Sequence, residues 1–508
     1  MCKSRLFSEP CAFNQVLIAQ KSFAFFMSSL VTSAAPSVHN TPTDDLQRLF
    51  DLQRQHQYVV RRGTAKMRRK KLQQLHTAIL SRQARIEAAL WSDLRKSTAE
   101  VAISELGVAL GELRVAMRHL HEWMKPRSVG TPLALFGSSS EIIYEPKGVC
   151  LIMAPWNYPV NLSFAPLASA IAAGNCVILK PSEHAPASSA LIREIVEACF
   201  APEEVAVVEG DVSVGQALLE LPFNHIFFTG SPAVGKIVMA AASRHLTSVT
   251  LELGGKSPVI VDKAADVALA AEKVAFLKGL NAAQTCIAPD YVWVHASRYE
   301  AFVEALKVSF QRFYGSDPAT SPDYCRLIHD RHFQRLKSLL DDAVSRGAIL
   351  LTGGQTDASD RYMAPTVLAN VPEEATLWEE EIFGPILPLR VYSDLDEPLQ
   401  YINARPQPLA LYLFSNHSGT VNHILQETRS GGVTVNDCGP HFYNHELPFG
   451  GVNHSGIGKS HGYAGFLEYT NQRGVLRQTR IFPTTHLMRP PFGGALQRFI
   501  LKAIVRWF

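Results

Sequence analysis

The sequence predicts an α/β protein in which helices cover both faces of a doubly wound parallel sheet. At 508 residues the chain is longer than one hydrophobic core usually serves, so more than one domain is expected. Apolar runs of strand length alternate with helix-length segments between residues 149 and 251, and the alternation resumes after residue 265. Parallel sheets of this kind bind ligands at the carboxyl ends of their strands.

The composition is that of an ordinary globular protein. Hydrophobic residues make up 47% of the chain and charged residues 19%. A net charge of +3 is too small to indicate a nucleic-acid partner. The eight cysteines are scattered without a C-x-x-C pair, which predicts free thiols in a reducing compartment, and we expect a cytoplasmic protein. His441 and His445 are spaced H-x-x-x-H, but no third ligand is evident, so we expect no metal site.

The N-terminal residues 1–42 are predicted to be a disordered or non-native extension. Their apolar runs are broken by polar residues, so they contain no signal-peptide core. Met27 begins a segment typical of a natural start, which makes residues 1–26 the most doubtful part. No run of eighteen apolar residues occurs, so no ordinary transmembrane helix is expected.

Residues 43–127 read as helices, and with residues 145–252 they form the first predicted domain. Apolar residues recur at helical spacing from Leu46 onward, and the basic run 68–71 is interpreted as a solvated helix face. Residues 128–144 contain Gly, Pro and Ser breaks around short β-prone pieces, which favours a hairpin. The predicted strands of the following region are Val149–Ala154, Cys176–Leu179, Val205–Val208, Ile226–Phe228 and Val249–Leu251.

A second α/β domain is predicted over residues 253–435. Its predicted helices are Ala265–Leu280, Tyr299–Phe313 and Arg331–Arg346. Its predicted strands are Tyr291–His295, Ile349–Thr352, Thr366–Leu368 and Ile386–Val391. Residues 436–483 are rich in glycine turns, and we expect them to return to the hairpin at 128–144.

Two stretches supply the most reactive groups. Residues 251–258 read L-E-L-G-G-K-S-P and place the carboxylate of Glu252 before a Gly-Gly pair. Residues 281–290 read N-A-A-Q-T-C-I-A-P-D and place the thiol of Cys286 in a loop of small residues. A thiolate attacks carbonyl carbons, and a carboxylate can activate the water that later releases the acyl group.

Other candidate groups follow predicted strands. In A-P-W-N-Y-P the amide of Asn157 could donate a hydrogen bond to a developing oxyanion, although a simple turn with packed aromatic residues explains it as well. Lys180 and Glu183, in K-P-S-E, could hold the hydroxyls of a ribose or form an exposed turn. F-T-G-S-P-A-V-G opens a helix and suits a pyrophosphate, although its G-x-x-x-x-G spacing alone is a weak signal. E-E-I-F-G-P offers a carboxylate and an aromatic ring.

Together, these motifs resemble the aldehyde dehydrogenase superfamily in order and spacing over about residues 45–493. The run T-G-S-P-A-V-G-K-I-V-M-A-A-A-S-R-H-L-T-S-V-T-L-E-L-G-G-K-S-P is similar to the class 3 branch, which includes fatty-aldehyde and bacterial coniferyl-aldehyde dehydrogenases. The resemblance implies a Rossmann-like NAD-binding domain, a catalytic domain (residues 253–435) and a small β bridging or oligomerisation element (residues 128–144 and 436–483). It also implies a homodimer.

The resemblance further implies a role for each matching residue. Cys286 attacks the aldehyde, Asn157 and the backbone N–H of Cys286 hold the oxyanion, hydride passes to the nicotinamide, and Glu252 activates the water that hydrolyses the thioester. The implied cofactor contacts are Trp156, Lys180, Glu183, Gly230, Ser231, Gly235, Glu381 and Phe383. Tyr158 matches a residue that lines the substrate pocket.

One residue departs from the family pattern, and two choices stay open. Ala283 stands where the family usually has glycine, which would strain the Cys286 loop if the local φ is positive.

Glu183 should favour NAD over NADP by repelling a 2′-phosphate, but members of the class 3 branch can use both. Tyr158, Phe442 and Tyr443 favour an aromatic aldehyde such as coniferaldehyde, or an aliphatic one of medium or long chain.

Two other function classes explain fewer residues. A cofactor-free thiol hydrolase or esterase would leave the Lys180/Glu183 and Glu381/Phe383 sets without a purpose. A catalytically silent scaffold would not need Cys286, Glu252 and Asn157 together. A CoA-acylating relative is disfavoured because Glu252 is present.

The C-terminal tail, residues 484–508, ends in a predicted basic amphipathic helix. Arg498, Lys502 and Arg506 recur every four residues among mostly apolar neighbours. The segment is too short to span a bilayer, so it could either pack against protein or make peripheral contact with an anionic membrane.

Overall fold

The computed structural model describes residues 40–132, 135–480, 489–490 and 493–507. The predicted extension therefore lies outside the described residues, apart from its last three positions. Thr41 is tied to the folded chain, since its backbone N–H and its hydroxyl both donate to the Glu209 carbonyl at 3.0 and 2.9 Å.

Helices occupy most of the first 80 described residues and then alternate with strands. The α-helices of the described residues are Thr43–Arg61, Ala65–Ser81, Gln83–Leu94, Thr98–Val101, Gly107–Trp123, Asn161–Ala173, Pro186–Glu197, Val212–Leu219, Pro232–Ser243, Val267–Gly279, Tyr299–Tyr314, Asp330–Ser345, Asp396–Asn403, Ser418–Glu427, Gly462–Glu468 and Ala495–Trp507. A π-helical turn at Ala102–Leu106 precedes the helix Gly107–Trp123. None of the helices in the described ranges has the length and apolar character needed to span a membrane.

The strands of the described residues number eighteen. In chain order they are β1 (Arg127–Val129), β2 (Ser139–Pro146), β3 (Val149–Met153), β4 (Cys176–Lys180), β5 (Val205–Val207), β6 (His225–Gly230), β7 (Ser248–Leu253), β8 (Pro258–Val261), β9 (Tyr291–His295), β10 (Ile349–Thr352), β11 (Thr356–Asp357), β12 (Tyr362–Met363), β13 (Thr366–Ala369), β14 (Ile386–Tyr392), β15 (Ala410–Phe414), β16 (Gly432–Val435), β17 (Gly456–Ile457) and β18 (Thr470–Arg477).

Two parallel sheets carry the fold. The first has the order β17-β7-β6-β3-β4-β5 and is parallel except for the short β17. The second has the order β10-β13-β14-β9-β8-β15-β16 and is parallel except for β10. β3 is apolar and buried except at its last residue, the half-buried Met153, and β4 is buried and apolar up to its last residue, Lys180, as expected for strands covered on both faces. In these two sheets, sequence analysis did not identify β8, β15, β16 and the short β17.

A small antiparallel sheet joins distant parts of the chain. Its order is β1-β2-β18, and Ser139–Pro146 pairs along its full length with Thr470–Arg477. The outer edge of β18 is largely exposed. The division of the chain into domains stays a prediction.

The basic run at 68–71 is not uniformly solvated, so that interpretation was wrong for Arg68. The Arg68 guanidinium donates to the carbonyls of Ala172, Gly63 and Arg61 at 2.9, 3.1 and 3.2 Å. Burial lowers the pKa of Arg68 to about 10. The backbone of Gly174 leaves the space that this guanidinium fills, because a Cβ there would lie 2.4 Å from Arg68 Cζ.

Candidate active site

The two reactive stretches lie side by side because the strands that follow them are neighbours. β8 pairs in parallel with β9, with Pro258 opposite Tyr291. Just before them, the Asp290 N–H donates to the Ser257 carbonyl at 2.9 Å. The Lys256 ammonium lies 2.5 Å from the Asp290 carboxylate and locks the turns together. Glu252, at the end of β7, and Cys286 therefore open onto the same space.

That space is a cavity of about 650 Å³. The predicted site residues that line it are Trp156, Asn157, Gly230, Ser231, Glu252, Cys286, Glu381 and Phe383. Tyr158, Lys180, Glu183 and Gly235, all within the described residues, lie outside this lining. The functional roles of both groups stay predictions.

Cys286 is partly exposed and protonated at neutral pH. Burial raises the pKa of its thiol, and the carboxylates of Glu381 and Glu252, when ionised, raise it further. The backbone N–H groups of Cys286 and Ile287 donate to the sulfur and oppose these effects. The same N–H groups could stabilise negative charge that forms beside the sulfur.

Glu252 is buried with one carboxylate oxygen unpaired. Oε1 accepts a hydrogen bond from the Ser460 hydroxyl at 2.8 Å, whereas Oε2 is buried and has no hydrogen-bond partner within the described part of the chain. Burial raises the pKa of Glu252 to about 8, against the opposing effects of Ser460 and Lys459. A carboxyl group with a pKa close to the working pH can act as a general base.

Asn157 is held beside the Cys286 loop at both its side chain and its backbone. Its side-chain Nδ2 donates to the Gln284 carbonyl at 3.0 Å and keeps a second N–H. Its backbone carbonyl accepts from Asn281 Nδ2 at 2.9 Å and from Lys96 Nζ at 2.7 Å. The side chain therefore faces the cavity in a fixed position.

The Cys286 loop begins with three consecutive residues in the left-handed region. Asn281, Ala282 and Ala283 have φ values of 53°, 49° and 57°. Ala283 therefore occupies the positive φ that its departure from the family pattern put in question. A non-glycine residue costs about 1–2 kcal/mol in this region. The loop tolerates the strain because the Gln284 amide donates to the carbonyls of Asn281 and Arg326 at 3.0 and 3.1 Å.

Glu381 approaches the Gly-Gly pair closely enough to explain the first glycine. A Cβ on Gly254 would lie 1.9 Å from the Glu381 carboxylate, which also accepts a hydrogen bond from the Gly255 N–H. Burial raises the pKa of Glu381 to about 8. Arg335 holds the backbone at Glu381 and Ile382 in place by donating to both of their carbonyl groups.

If Glu381 holds the dinucleotide that the family resemblance implies, Gly254→Ala should raise the KM for that dinucleotide about tenfold, because the new methyl group must displace the Glu381 carboxylate. The matched control is Gly255→Ala, whose Cβ would meet Pro408 Cα at an ordinary 3.4 Å. Steady-state kinetics with varied dinucleotide provide the measurement. Equal KM values for the two variants would contradict the assignment of Glu381 to cofactor binding.

An aromatic group forms another wall. Phe383 has a left-handed φ of 52°, and its ring lies edge-on to Trp156 with centroids 5.4 Å apart. His332 packs against both rings, and its Nε2–H donates to the Phe383 carbonyl at 2.9 Å. Burial lowers the pKa of His332 to about 3, so it is neutral at physiological pH. A strained backbone held by its neighbours is typical of a ligand contact.

The predicted phosphate turn precedes a helix. Ser231 caps the helix Pro232–Ser243 by accepting from the Val234 N–H at 3.4 Å, and its neighbours Gly230 and Pro232 line the cavity. The positive end of the helix dipole therefore lies beside the cavity. Gly235 lies within the helix, where a Cβ would come within 2.7 Å of Leu253.

Lys180 is the last residue of β4 in the first sheet, and it pairs with Glu183 in the turn that follows. The Lys180 ammonium lies 3.1 Å from the Glu183 carboxylate. The Ala154 N–H donates to the Lys180 carbonyl at 3.0 Å, which joins this turn to the one that carries Asn157. These residues extend the site along the carboxyl ends of the strands.

Sequence analysis missed several side chains that build the site. His332 and Ser460 carry no local signal, because each reaches the site from a distant element. Lys256 and Asp290 stood inside the quoted motifs and could have been identified as a pair. The role of Tyr158 at the substrate pocket stays a prediction; its hydroxyl forms a 2.6 Å hydrogen bond with Thr285, and its ring packs against Lys96.

The histidines of the H-x-x-x-H pair have different partners. His441 forms a 2.8 Å hydrogen bond with the Thr434 hydroxyl. His445 lies 2.8 Å from Glu112, whose carboxylate is also 3.3 Å from the ring of His461. Glu112, His445 and His461 are close enough to share a metal ion, and sequence analysis did not bring them together.

Comparisons with known proteins agree with this geometry. A model of the aldehyde dehydrogenase family matches residues 32–475. Human aldehyde dehydrogenase family 3 member B1 is 44% identical over 467 residues, which cover 91% of this chain and 97% of that protein. A Pseudomonas aeruginosa protein named probable coniferyl aldehyde dehydrogenase is 42% identical over 424 residues, covering 84% of this chain and 88% of that protein.

A solved structure described as the substrate-bound state of Staphylococcus aureus AldH is also similar. It aligns with a TM-score of 0.87 at 40% identity, covering 91% of this chain and 99% of that chain. These matches confirm the predicted α/β fold and the predicted resemblance.

Proposed function

This chain belongs to the aldehyde dehydrogenase family and is a nicotinamide-dependent enzyme, and we propose that it oxidises aromatic or medium- to long-chain aldehydes to carboxylic acids through a thioester on Cys286. The observation that carries the proposal is the convergence of Cys286, Glu252 and Asn157 on one cavity. A thiol, a buried carboxylate and an amide donor are the groups that acyl transfer through sulfur requires.

In the first step, the partly exposed Cys286 thiol gives its proton to solvent water, and the sulfur attacks the aldehyde carbon. A C–S bond forms and the carbonyl oxygen takes up the negative charge. The free N–H of Asn157 Nδ2 and the backbone N–H of Cys286 are the donors available to that oxygen. Losing a proton from a thiol of raised pKa slows this step at low pH.

The cavity fits a nicotinamide dinucleotide. The helix start at Ser231 suits its phosphates, the Glu381 carboxylate suits a ribose, and Phe383 with Trp156 forms an apolar wall. When bound, the dinucleotide supplies the acceptor for the hydride that leaves the substrate carbon. Glu252 Oε2, buried and without a hydrogen-bond partner among the described residues, faces the space that a substrate or water would fill.

In the second step, Glu252 takes a proton from water, and the resulting hydroxide attacks the thioester. The C–S bond breaks, the carboxylic acid is released and Cys286 is left as a thiolate. The Ser460 hydroxyl donates to Glu252 Oε1 and leaves Oε2 for this proton transfer. A buried carboxyl group with a pKa of about 8 is a stronger base than an exposed one.

Aromatic residues support the proposed substrate class. A second, small cavity of about 40 Å³, with room for the reacting end of a substrate, is lined by Cys286, Glu252, Phe442 and Phe449. The two rings lie edge-to-face with centroids 4.9 Å apart. An apolar aldehyde, planar or with an extended chain, would pack favourably against these rings. The relative named for coniferyl aldehyde supports the aromatic member of this class.

The test is dinucleotide reduction, followed by absorbance, over coniferaldehyde, benzaldehyde, hexanal and hexadecanal with NAD and with NADP. We expect turnover with at least one of them and production of the acid. Ester hydrolysis without dinucleotide, combined with no aldehyde turnover, would favour a thiol hydrolase instead. No turnover of either kind in a folded protein that binds dinucleotide would contradict the proposal.

We propose NAD as the preferred cofactor, because Glu183 neutralises Lys180 and would repel a 2′-phosphate. We expect Glu183→Gln to raise kcat/KM for NADP about tenfold, since it frees the Lys180 ammonium, while kcat/KM for NAD changes little. Glu220→Gln, at an exposed ion pair with Arg244, is the control. An unchanged ratio of NAD to NADP efficiency would contradict this use of Glu183.

We propose a homodimer that forms partly through the exposed edge of β18. In the described part of the chain this strand pairs with β2 alone, so its outer edge offers free backbone donors and acceptors. Sedimentation equilibrium measures the assembly, and a monomer at micromolar concentration would contradict the proposed homodimer.

We also propose a cytoplasmic location, which the free thiols of the six described cysteines support.

We also propose peripheral membrane contact through the helix Ala495–Trp507. Leu496, Phe499 and Val505 are 63, 71 and 86% exposed beside three cationic residues, a pattern that favours an anionic lipid surface. Cosedimentation with vesicles containing phosphatidylserine, compared with phosphatidylcholine alone, is the test. Binding should weaken in Phe499→Asp, and equal pelleting with both vesicle types would contradict the proposal.

A further inference from the structure

Lys96 and Glu105 form an ion pair that is completely shielded from solvent. Lys96 Nζ lies 2.7 Å from Glu105 Oε1, and both side chains are 0% exposed. Lys96 follows the helix Gln83–Leu94, and Glu105 lies in the π-helical turn Ala102–Leu106. Placing two charges in a protein interior is expensive, and buried ion pairs often stabilise a fold no better than apolar residues of similar volume. The pair therefore calls for an explanation other than stability.

The ammonium of Lys96 also contacts the turn that carries Asn157. Nζ donates to the Asn157 carbonyl at 2.7 Å, and it lies 4.0 Å from the centre of the Tyr158 ring. The Tyr158 hydroxyl in turn forms a 2.6 Å hydrogen bond with Thr285, the neighbour of Cys286. Lys96 is thus in contact with both residues that connect this turn to the Cys286 loop.

The carboxylate of Glu105 holds the other end of the same turn. Its Oε2 accepts from the Asn161 N–H at 2.9 Å, at the start of the helix Asn161–Ala173. An anion at a helix N-terminus is favourable, and here it is also fixed by Lys96. The ion pair therefore clamps the backbone at residues 157 and 161. That backbone determines where the Cα–Cβ bond of Asn157 points.

The π-helical turn is consistent with a functional origin. Turns with i→i+5 hydrogen bonds are rare and are found frequently at functional sites. Here the turn shifts the register of the helix by one residue just where Glu105 must reach both Lys96 and the Asn161 N–H.

We propose that Lys96 and Glu105 are positioning residues that hold the Asn157 amide in the orientation needed to stabilise the oxyanion. The inference rests on the proposed role of Asn157 and deepens it. Neither residue touches the cavity, so each acts through the 157–161 turn. The pair matters in the step that forms the thioester, because that is when negative charge first appears on the substrate oxygen.

The test replaces both charges with apolar side chains of similar volume, Lys96→Met together with Glu105→Leu. Removing the pair as a unit avoids leaving Lys96 or Glu105 as an unpaired charge, but the buried Asn161 N–H loses its acceptor. We therefore expect a lower melting temperature, while the Kd for NAD at 25 °C stays close to wild type. We expect the rate of the pre-steady-state burst of NADH to fall by about 10–100-fold. This decrease is no larger than the one expected from removing an oxyanion donor itself. A wild-type burst rate would overturn the proposal.

A double-mutant cycle with Asn157→Ala separates positioning from general structural damage. If the pair acts through the Asn157 amide, the double replacement should have little further effect on the burst once that amide is absent. An equal slowing in both backgrounds would overturn the proposal. Should the apolar double variant not fold, the same cycle with Lys96→Gln and Glu105→Gln applies the same criterion. An unchanged burst in Asn157→Ala alone would instead contradict the proposed oxyanion role.

Discussion

Cys286→Ser is expected to abolish aldehyde oxidation, with kcat falling by about 10⁴-fold or more. A hydroxyl is far less acidic than a thiol and is a weaker nucleophile, so the attack on the carbonyl carbon fails. The variant should retain the fold and the affinity for NAD, because the substitution removes little volume. Dinucleotide reduction measures turnover, and intrinsic fluorescence measures the binding of NAD.

The matched control is Cys199→Ser, at the other partly exposed cysteine among the described residues. It lies after the helix Pro186–Glu197, away from the cavity, and should keep wild-type turnover. Loss of activity in Cys199→Ser, or its retention in Cys286→Ser, would contradict the assignment of the nucleophile.

Glu252→Gln should stop the reaction after a single turnover. Glutamine cannot accept a proton from water, so we expect one equivalent of NADH to form rapidly and kcat to fall by about 10²–10⁴-fold. Mass spectrometry of the quenched variant should detect the acyl group on Cys286. Absence of both the burst and the acyl group would show that Glu252 acts before or during formation of the thioester, not in its hydrolysis.

The pH dependence of the wild-type enzyme tests the same residue. A general base works only when it is deprotonated, and burial raises the pKa of Glu252 to about 8. The rate of thioester hydrolysis should therefore rise with pH below about 8 and level off above it. In Glu468→Gln the rise should move to lower pH, because the charge of Glu468 helps to raise the pKa of Glu252. A rate that is flat between pH 6 and 9 would contradict the assignment.

Short motifs identified the reacting groups from the sequence, because the position of each group is set by the backbone of the few residues around it. Cys286 and Glu252 each stand in a run of small residues, and both line the cavity. Most strands of the two parallel sheets, and the three helices predicted over residues 253–435, were found within a few residues, since their apolar periodicity is long enough to detect. β8 was missed because four apolar residues after a Gly-Gly-Lys-Ser run do not distinguish a strand from a turn.

The supporting contacts could not be predicted from one sequence. Lys96 and Glu105 lie in a segment whose charged residues are typical of any solvent-exposed helix. Only the folded chain shows that they form a fully buried ion pair. Ala283 posed a question that depends on a backbone angle, and residue types alone do not give the sign of φ there. The same limit applies to Phe383, whose positive φ no propensity would suggest.

The pairing of β2 with β18 has a consequence for biosynthesis. Ser139–Pro146 leaves the ribosome roughly 320 residues ahead of its partner, which at about 5–20 residues per second is a delay of roughly 15–65 s. Ser460, which hydrogen-bonds the catalytic carboxylate proposed here, is also made near the end. The nascent chain therefore carries an unpaired strand edge and an unfinished active site for most of its synthesis, and cells that produce it slowly should depend on chaperones that shield such edges.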